Sequence, residues 1–258
     1  MDSFIQGDRF IMKVLFSPSE TKTRFICHPK LNEKSFVFPL LYAKRMEVLA
    51  HYNTFIQKAS LPMLQKLFGL KEEDKINELC LHPITSLLTC KAIERYDGVA
   101  YDYLSYQTLD AVSQAWIDKN VMIFSNLFGP LLAEDLIPYY KLQQGEHLAA
   151  FKPELFYKEH FSASIDHWAE GELILDLRAG FYEKFYTLKQ PYITMKFLKK
   201  GKAMSHFAKA YRGKVLRAIA REQPSNEEML SKIAFDDLRI CEIKQSTYKR
   251  EYVYDIID

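Results

Sequence analysis

The chain has 258 residues, of which 48% are apolar, 26% charged and 14% aromatic. That composition excludes the disordered, collagen-like and coiled-coil classes and is enough to build a real core. The formal net charge is only +2, from 35 basic against 33 acidic residues, so total charge does not point to a nucleic-acid partner. With 9 glycines, glycine-built phosphate loops are not expected.

The four cysteines, Cys27, Cys80, Cys90 and Cys241, form no C-x-x-C pair and are too scattered for a disulfide scaffold. Reduced thiols and a cytoplasmic location are the expectation. No apolar run reaches the ~18 residues of a membrane span. The most apolar stretch, Val121 to Tyr140, is interrupted by Ser125, Asn126, Gly129, Glu134 and Asp135. The N-terminus carries Asp2 and Asp8 and lacks the apolar region of a secretory signal. Met12 opens a clean strand and is a candidate start, which makes residues 1–11 an N-terminal extension and 12–258 one domain.

In chain order, a strand is predicted at 12–16, followed by helical periodicity over 39–58, 61–68, 72–80 and 84–95. A strand at 99–104 precedes a helix at 107–119, with start signals at Thr108 and Asp110, and a strand at 121–125. Then come a helix at 153–169, strands at 172–177 and 191–198, helices at 203–222 and 225–233, and strands at 239–243 and 251–256. Ser225 with Glu228 three residues later reads as a capping box. Strands and helices mix without strict alternation, so the fold class is α+β rather than doubly wound.

Several chemistries are absent. There is no dinucleotide or P-loop glycine motif, no H-E-x-x-H and no G-x-S-x-G. None of the seven histidines lies three or four residues from another; His160 and His167, two turns apart, are the nearest to a shared face. Neither a tightly bound metal nor a cofactor is expected. Asp166-His167 has no assignable Ser or Cys partner, so no catalytic residue is named.

The strongest feature is a change in charge density. From Lys184 to Arg221, 38 residues hold eleven basic side chains and no acidic one. Removing those eleven from 35 leaves 24 basic residues against 33 acidic, a net of −9 for the rest of the chain. A basic stripe on an acidic body is the footprint of a polyanion binder. The same pattern also fits a solvated helix face balanced by carboxylates elsewhere in the fold.

The second feature is Phe68-Gly69-Leu70 between two short helical segments. It resembles a helix-hairpin-helix element, whose turn N–H groups and second helix start hold a DNA phosphate. Glu72, Glu73 and Asp74 oppose a phosphate unless they turn away.

Several segments together resemble the YaaA family of peroxide-stress-resistance proteins over nearly the whole chain from Met12. They are Val14-Leu-Phe-Ser-Pro-Ser-Glu-Thr-Lys22, Tyr96-Asp-Gly-Val-Ala-Tyr-Asp-Tyr-Leu104, and Ser125-Asn-Leu-Phe-Gly129 with Asp135 and Tyr140-Lys-Leu-Gln-Gln-Gly145. The last is Ala208-Lys-Ala-Tyr-Arg-Gly-Lys-Val-Leu-Arg217. The resemblance implies a single-domain mixed fold of the cantaloupe type, a basic cleft with a helix-hairpin-helix element, and binding of double-stranded DNA. It also implies a role in limiting iron-linked DNA damage under peroxide. The chain departs from the family pattern at Asn126, Leu132, Lys141, Gln143 and Asp176-Leu-Arg-Ala179. A bidentate Arg–carboxylate clamp cannot be reproduced by Lys141 and Gln143.

The resulting expectation is a protein that binds duplex DNA without strong sequence preference. Lys66, Gly69, Lys71 and Lys75 form the hairpin site; Lys184, Lys209, Arg212, Lys214 and Arg217 supply cleft charge. Tyr101, Tyr140 and Tyr211 are candidates to stack on an unpaired or distorted base. The alternative is a glycosylase- or lyase-like repair enzyme with Lys22, Lys141 or Lys209 as nucleophile. An iron-sequestering protein is the third reading, which the histidine and cysteine spacing disfavours.

Overall fold

The structure, a computed structural model, describes residues 11–203 and 205–257. Apart from Ile11, the extension expected at 1–11 lies outside the described residues. In chain order the elements begin with β1 (Met12–Phe16), β2 (His28–Lys30), α1 (Tyr42–Lys58), α2 (Leu61–Phe68), α3 (Glu73–Cys80) and β3 (Leu88–Lys91). Next come α4 (Ala92–Arg95), α5 (Val99–Leu104), α6 (Ala111–Asn120), β4 (Val121–Ser125), β5 (Gly129–Leu132), β6 (Leu136–Pro138) and α7 (Pro153–Ala169). The chain ends with β7 (Leu173–Asp176), β8 (Tyr192–Lys199), β9 (Lys202–Ala203), α8 (Ser205–Glu222), α9 (Glu227–Ser231), β10 (Leu238–Gln245) and β11 (Lys249–Ile256).

The apolar runs of β1, β4 and β7 are nearly continuous rather than alternating, as strands covered on both faces require. They form the centre of a sheet ordered β10-β11-β8-β7-β1-β4-β5, with β9 paired beside β8. β1 pairs in parallel with β4 and β7, and β8 with β7 and β11; β5 and β10 are antiparallel edges. A second, three-stranded sheet has the order β2-β3-β6. The fold is therefore mixed α/β with a mostly parallel sheet, a stronger α/β character than the α+β expectation. Alternate residues of β1 meet opposite layers. Phe16 packs edge-on against Tyr101 of α5 at 5.6 Å. Lys13 reaches Trp168 of α7, with Nζ 5.0 Å from the ring centre.

The structure corrects several predicted elements. The short run rich in aromatic and β-branched residues reads as a strand, yet 99–104 is α5, because Gly98 at φ 102 turns the chain and its carbonyl accepts from Tyr101 and Asp102 at 2.8 and 2.9 Å. The helix predicted over 84–95 is a 3-10 turn, then β3, then α4; β3 is held from both sides by β2 and β6, pairings invisible in local periodicity. Asp110, not Thr108, caps α6, accepting from the Val112 and Ser113 amides. The capping box at Ser225 is replaced by Asn226, whose side chain accepts from Met229 N at 2.8 Å.

The closest helix contact is between α5 and α8. A methyl group at Gly213 of α8 would sit 2.0 Å from the Ala100 carbonyl oxygen. The two backbones touch, so glycine is required there despite its cost within a helix. Gly213→Ala should destabilise the protein by about 1–3 kcal/mol through overpacking, although alanine favours helix. Denaturant unfolding checks this; an unchanged or raised midpoint would show that α8 can shift without penalty.

Candidate functional site

In right-handed parallel connections, strands that continue in opposite directions send their outgoing loops to opposite faces, and a crevice opens between them. Here β1 continues to β4 on one side and β7 to β8 on the other. A pocket of about 260 Å³ lies at that point, lined by Ser17, Ser19 and Glu20 after β1, Ala179 and Tyr182 after β7, Tyr101 of α5, Gln144, and Lys209 and Arg212 of α8.

The pocket wall is fixed by hydrogen bonds. Tyr101 Oη donates to Ser17 O at 2.9 Å, and Ala179 N donates to Ser17 Oγ at 2.7 Å. Gln144 N donates to Glu20 Oε1 at 2.7 Å. Beneath Ala179, Arg178 grips Asp176 bidentately at 2.9 and 2.7 Å and donates to the Tyr182 and Tyr186 carbonyls. Arg212 differs. Its Nε is buried with no hydrogen-bond partner, and its guanidinium makes no ion pair or hydrogen bond among the described residues. Burial lowers its pKa, with Asp176 partly opposing the shift. Lys209, three residues earlier on the same helix face, is exposed.

Below the loop, Lys22 is 7% exposed. Its ammonium donates to Ser19 O at 3.0 Å and Glu20 O at 3.4 Å and lies 4.4 Å from the Tyr140 ring centre. Burial pushes its pKa down to about 7, Glu20 opposing and Lys141 and Arg95 adding to the shift. Tyr140 Oη joins Tyr96 Oη at 2.9 Å and Ser125 Oγ at 2.8 Å, and Ser125 Oγ accepts from Phe128 N at 2.9 Å. Lys22 does not line the pocket, and its nitrogen is engaged with the Ser19 and Glu20 carbonyls under the Tyr140 ring. Lys141 donates to Glu20 O at 3.3 Å.

The expected DNA-contacting residues divide into groups. α2 ends at Gly69, φ 65, where an added Cβ would collide with the Gln143 side chain. The Gly69 and Leu70 amides donate to Gln65 O and the Lys71 amide to Glu72 Oε2, so the turn's donors already have partners. Lys66 pairs with the half-buried Glu146 at 3.1 Å, and Lys75 with Glu72 at 2.9 Å on exposed surface. Lys184 lies over the Phe181 ring at 4.9 Å. Lys214 forms an ion pair with Asp237. Arg217 donates to Leu104 O at 2.8 Å and Ser105 O at 2.9 Å, closing the C-terminal end of α5. The stacking role expected of Tyr101, Tyr140 and Tyr211 does not hold: they are 7, 1 and 5% exposed and packed in the core.

The hairpin and pocket share one loop. Gln143 packs on Gly69 and donates its amide to Leu67 O at 2.8 Å, while Gln144 lines the pocket. Sequence reasoning found Lys209 and Arg212 through the basic run. It missed Ser17, Ser19, Glu20, Gln144 and Tyr182; the polar Ser-Pro-Ser-Glu directly after an apolar strand was the available signal.

Residues 12–244 match a family model described as peroxide stress protein YaaA. The chain belongs to the YaaA family. A Campylobacter jejuni relative, named an uncharacterized protein, is 48% identical over 248 residues, covering 96% of this chain and all of its own length. A UPF0246 protein of Corynebacterium glutamicum is 30% identical over 231 residues, 85% of this chain and 91% of its own. A UPF0246 protein of Fusobacterium nucleatum is 26% identical over 237 residues, 89% of this chain and 93% of its own.

In this YaaA-family chain the segments that carried the resemblance converge: 17–21, 98–101, 144 and 209–212 meet at the pocket, and Tyr96, Ser125 and Tyr140 form the hydroxyl chain beside it. At the departures, Lys141 serves a carbonyl, Gln143 packs on Gly69, and Asn126 donates to Leu142 O at 3.2 Å. No helix among the described residues is long and apolar enough to cross a membrane, and no group of three metal-ligating side chains occurs among them.

Two outcomes follow for stability. Arg217→Gln should cost about 1–3 kcal/mol, since two carbonyls lose a charged donor. Arg212→Gln should leave the melting temperature unchanged or raise it, because an unpaired charge leaves a half-buried site; paired melts of the two variants decide between them. Lys22 sets a pH dependence. Between about pH 7 and the ~10.4 of an unfolded lysine, the unfolded chain keeps a proton that the folded chain releases, so stability rises with pH. Lys22→Met should flatten that rise in urea titrations across the window, and an unaltered slope would assign it to other groups.

Proposed function

We propose that this member of a peroxide stress family binds double-stranded DNA through backbone phosphates, with little sequence preference, and so limits iron-linked DNA damage. The reading takes 12–258 as one YaaA-like unit acting in the cytoplasm. The observation that carries it is the unpartnered Arg212, beside exposed Lys209, on a surface that the 143–144 loop connects to the Gly69 hairpin. Phosphate contacts of this kind fix position without reading bases. The lyase reading is weaker on this geometry, because Lys22 is sealed under Tyr140 and bonded to two carbonyls.

Of the eight cations first assigned to DNA, Lys214 and Arg217 have fixed protein partners. Lys75 has an exposed partner, Glu72, and Lys66 is itself exposed although its partner Glu146 is half-buried, so both lysines can exchange partners at modest cost. Lys71, Lys184, Lys209 and Arg212 have no acidic partner among the described residues. Four to six phosphate contacts give a log–log salt slope of about −4 to −5, against about −7 if all eight engage. Titration of unrelated duplexes across salt concentrations measures the slope. Lys209→Gln should lower it by about one and Lys214→Gln should not; salt-insensitive binding, or strong preference for one duplex, would overturn the reading.

A further inference from the structure

The pocket at the carboxyl ends of β1 and β7 has a chemistry that duplex binding does not account for. Buried arginines elsewhere in this fold all serve carbonyls or carboxylates. Arg45 donates to Phe128 O and Pro130 O, Arg95 to Thr23 O and Ile137 O, and Arg178 to Asp176 and two carbonyls. Arg45 and Arg95 share with Arg212 a buried Nε without a partner, but their terminal nitrogens are bonded, whereas Arg212 lines a cavity and has no hydrogen bond or ion pair among the described residues. A planar five-donor fork in that position is suited to a phosphate or carboxylate taken from outside the chain. Lys209 adds a second positive charge at the same wall, and Ser17 and Ser19 add hydroxyls.

The lining also includes a carboxylate. Glu20 uses Oε1 to accept from Gln144 N, which leaves its second oxygen as a hydrogen-bond acceptor. A carboxylate there repels additional phosphates and favours a neutral, hydroxyl-bearing portion of a ligand. Tyr101 and Tyr182 line it only with the edges that the core leaves uncovered, and the volume of about 260 Å³ admits one small organic phosphate. The location is the crevice where open parallel sheets bind small ligands.

We propose that this pocket binds a small organic phosphomonoester of about mononucleotide size, with Arg212 and Lys209 holding the phosphate and Glu20 accepting from a ligand hydroxyl. The phosphate chemistry is shared with the DNA backbone, so the test separates a free monoester from a duplex. Calorimetric titrations at low salt use a deoxynucleoside 5′-monophosphate, the matching nucleoside, inorganic phosphate and a duplex. The monophosphate should bind once per chain, with the nucleoside and inorganic phosphate each at least about tenfold weaker.

Arg212→Gln should weaken the monophosphate by about ten- to a hundredfold, the range for losing hydrogen bonds to a charged group. Gln144→Trp, at an exposed rim position, should block the pocket without disturbing the core and abolish monophosphate binding. Lys66→Gln, on the hairpin, should weaken the duplex only. Absence of monophosphate binding, retention of it in Gln144→Trp, or inorganic phosphate binding as tightly as the monoester would each overturn the proposal. Failure of the duplex arm alone would remove the DNA reading and leave this one standing.

Discussion

The backbone contact between α5 and α8 is the constraint on which the candidate site depends. Because residue 213 has no side chain, α8 settles directly on the Ala100 carbonyl. That approach brings Lys209 and Arg212 to the ends of β1 and β7, and Arg217 to the carbonyls that end α5. The pocket is thus a consequence of helix packing as much as of the sheet: β1 and β7 provide the floor and the outgoing loops, and α8 provides the cationic wall.

A second theme is how this fold uses arginine inside. Arg45, Arg95 and Arg178 are buried, and each gives donors to backbone carbonyl oxygens of segments outside its own element, such as Pro130 O, Thr23 O and Tyr186 O. A guanidinium can satisfy several such oxygens at once, which offsets part of the cost of taking the charge out of water. The Arg178–Asp176 clamp is placed so that the chain leaving β7 is rigid just where it meets the pocket. Lys22 does the same for the loop after β1, holding the Ser19 and Glu20 carbonyls from below. The polar walls of the pocket are therefore set before any ligand arrives, which reduces the ordering cost of binding.

The basic run from Lys184 to Arg221 turns out to contain two kinds of cation. On α8, the Lys209/Arg212 side faces the cavity. The Lys214/Arg217 side faces protein, paired with Asp237 and with α5 carbonyls. Charge counting along the sequence cannot separate these, since Asp237 lies outside the run and backbone carbonyls carry no formal charge. The hairpin shows the same limit. Its glycine and two short helices are readable from residue types, but that its amides already bond within the turn, and that Gln143 packs on Gly69, required the fold.

Local sequence pattern is enough to specify the central strands β1, β4, β7 and β8 and the long helices α1, α7 and α8. Continuous apolar runs and helical spacing are local signals strong enough to override context. It also determined the family, through short segments in a fixed order. It did not determine 99–104, where an aromatic-rich apolar run suggested a strand and Gly98 with its carbonyl bonds made a helix. Nor did it determine β3, whose two partners are far away in the chain. Tyr101, Tyr140 and Tyr211 looked available for stacking and are core residues, with hydroxyls bonded to Ser17 O, Tyr96 and Ser125, and Asp237. Which side chains are buried, and which cations remain without a partner, depends on contacts between residues far apart in sequence. Folding settles those, because desolvation and pairing are set by neighbours in space rather than in the chain.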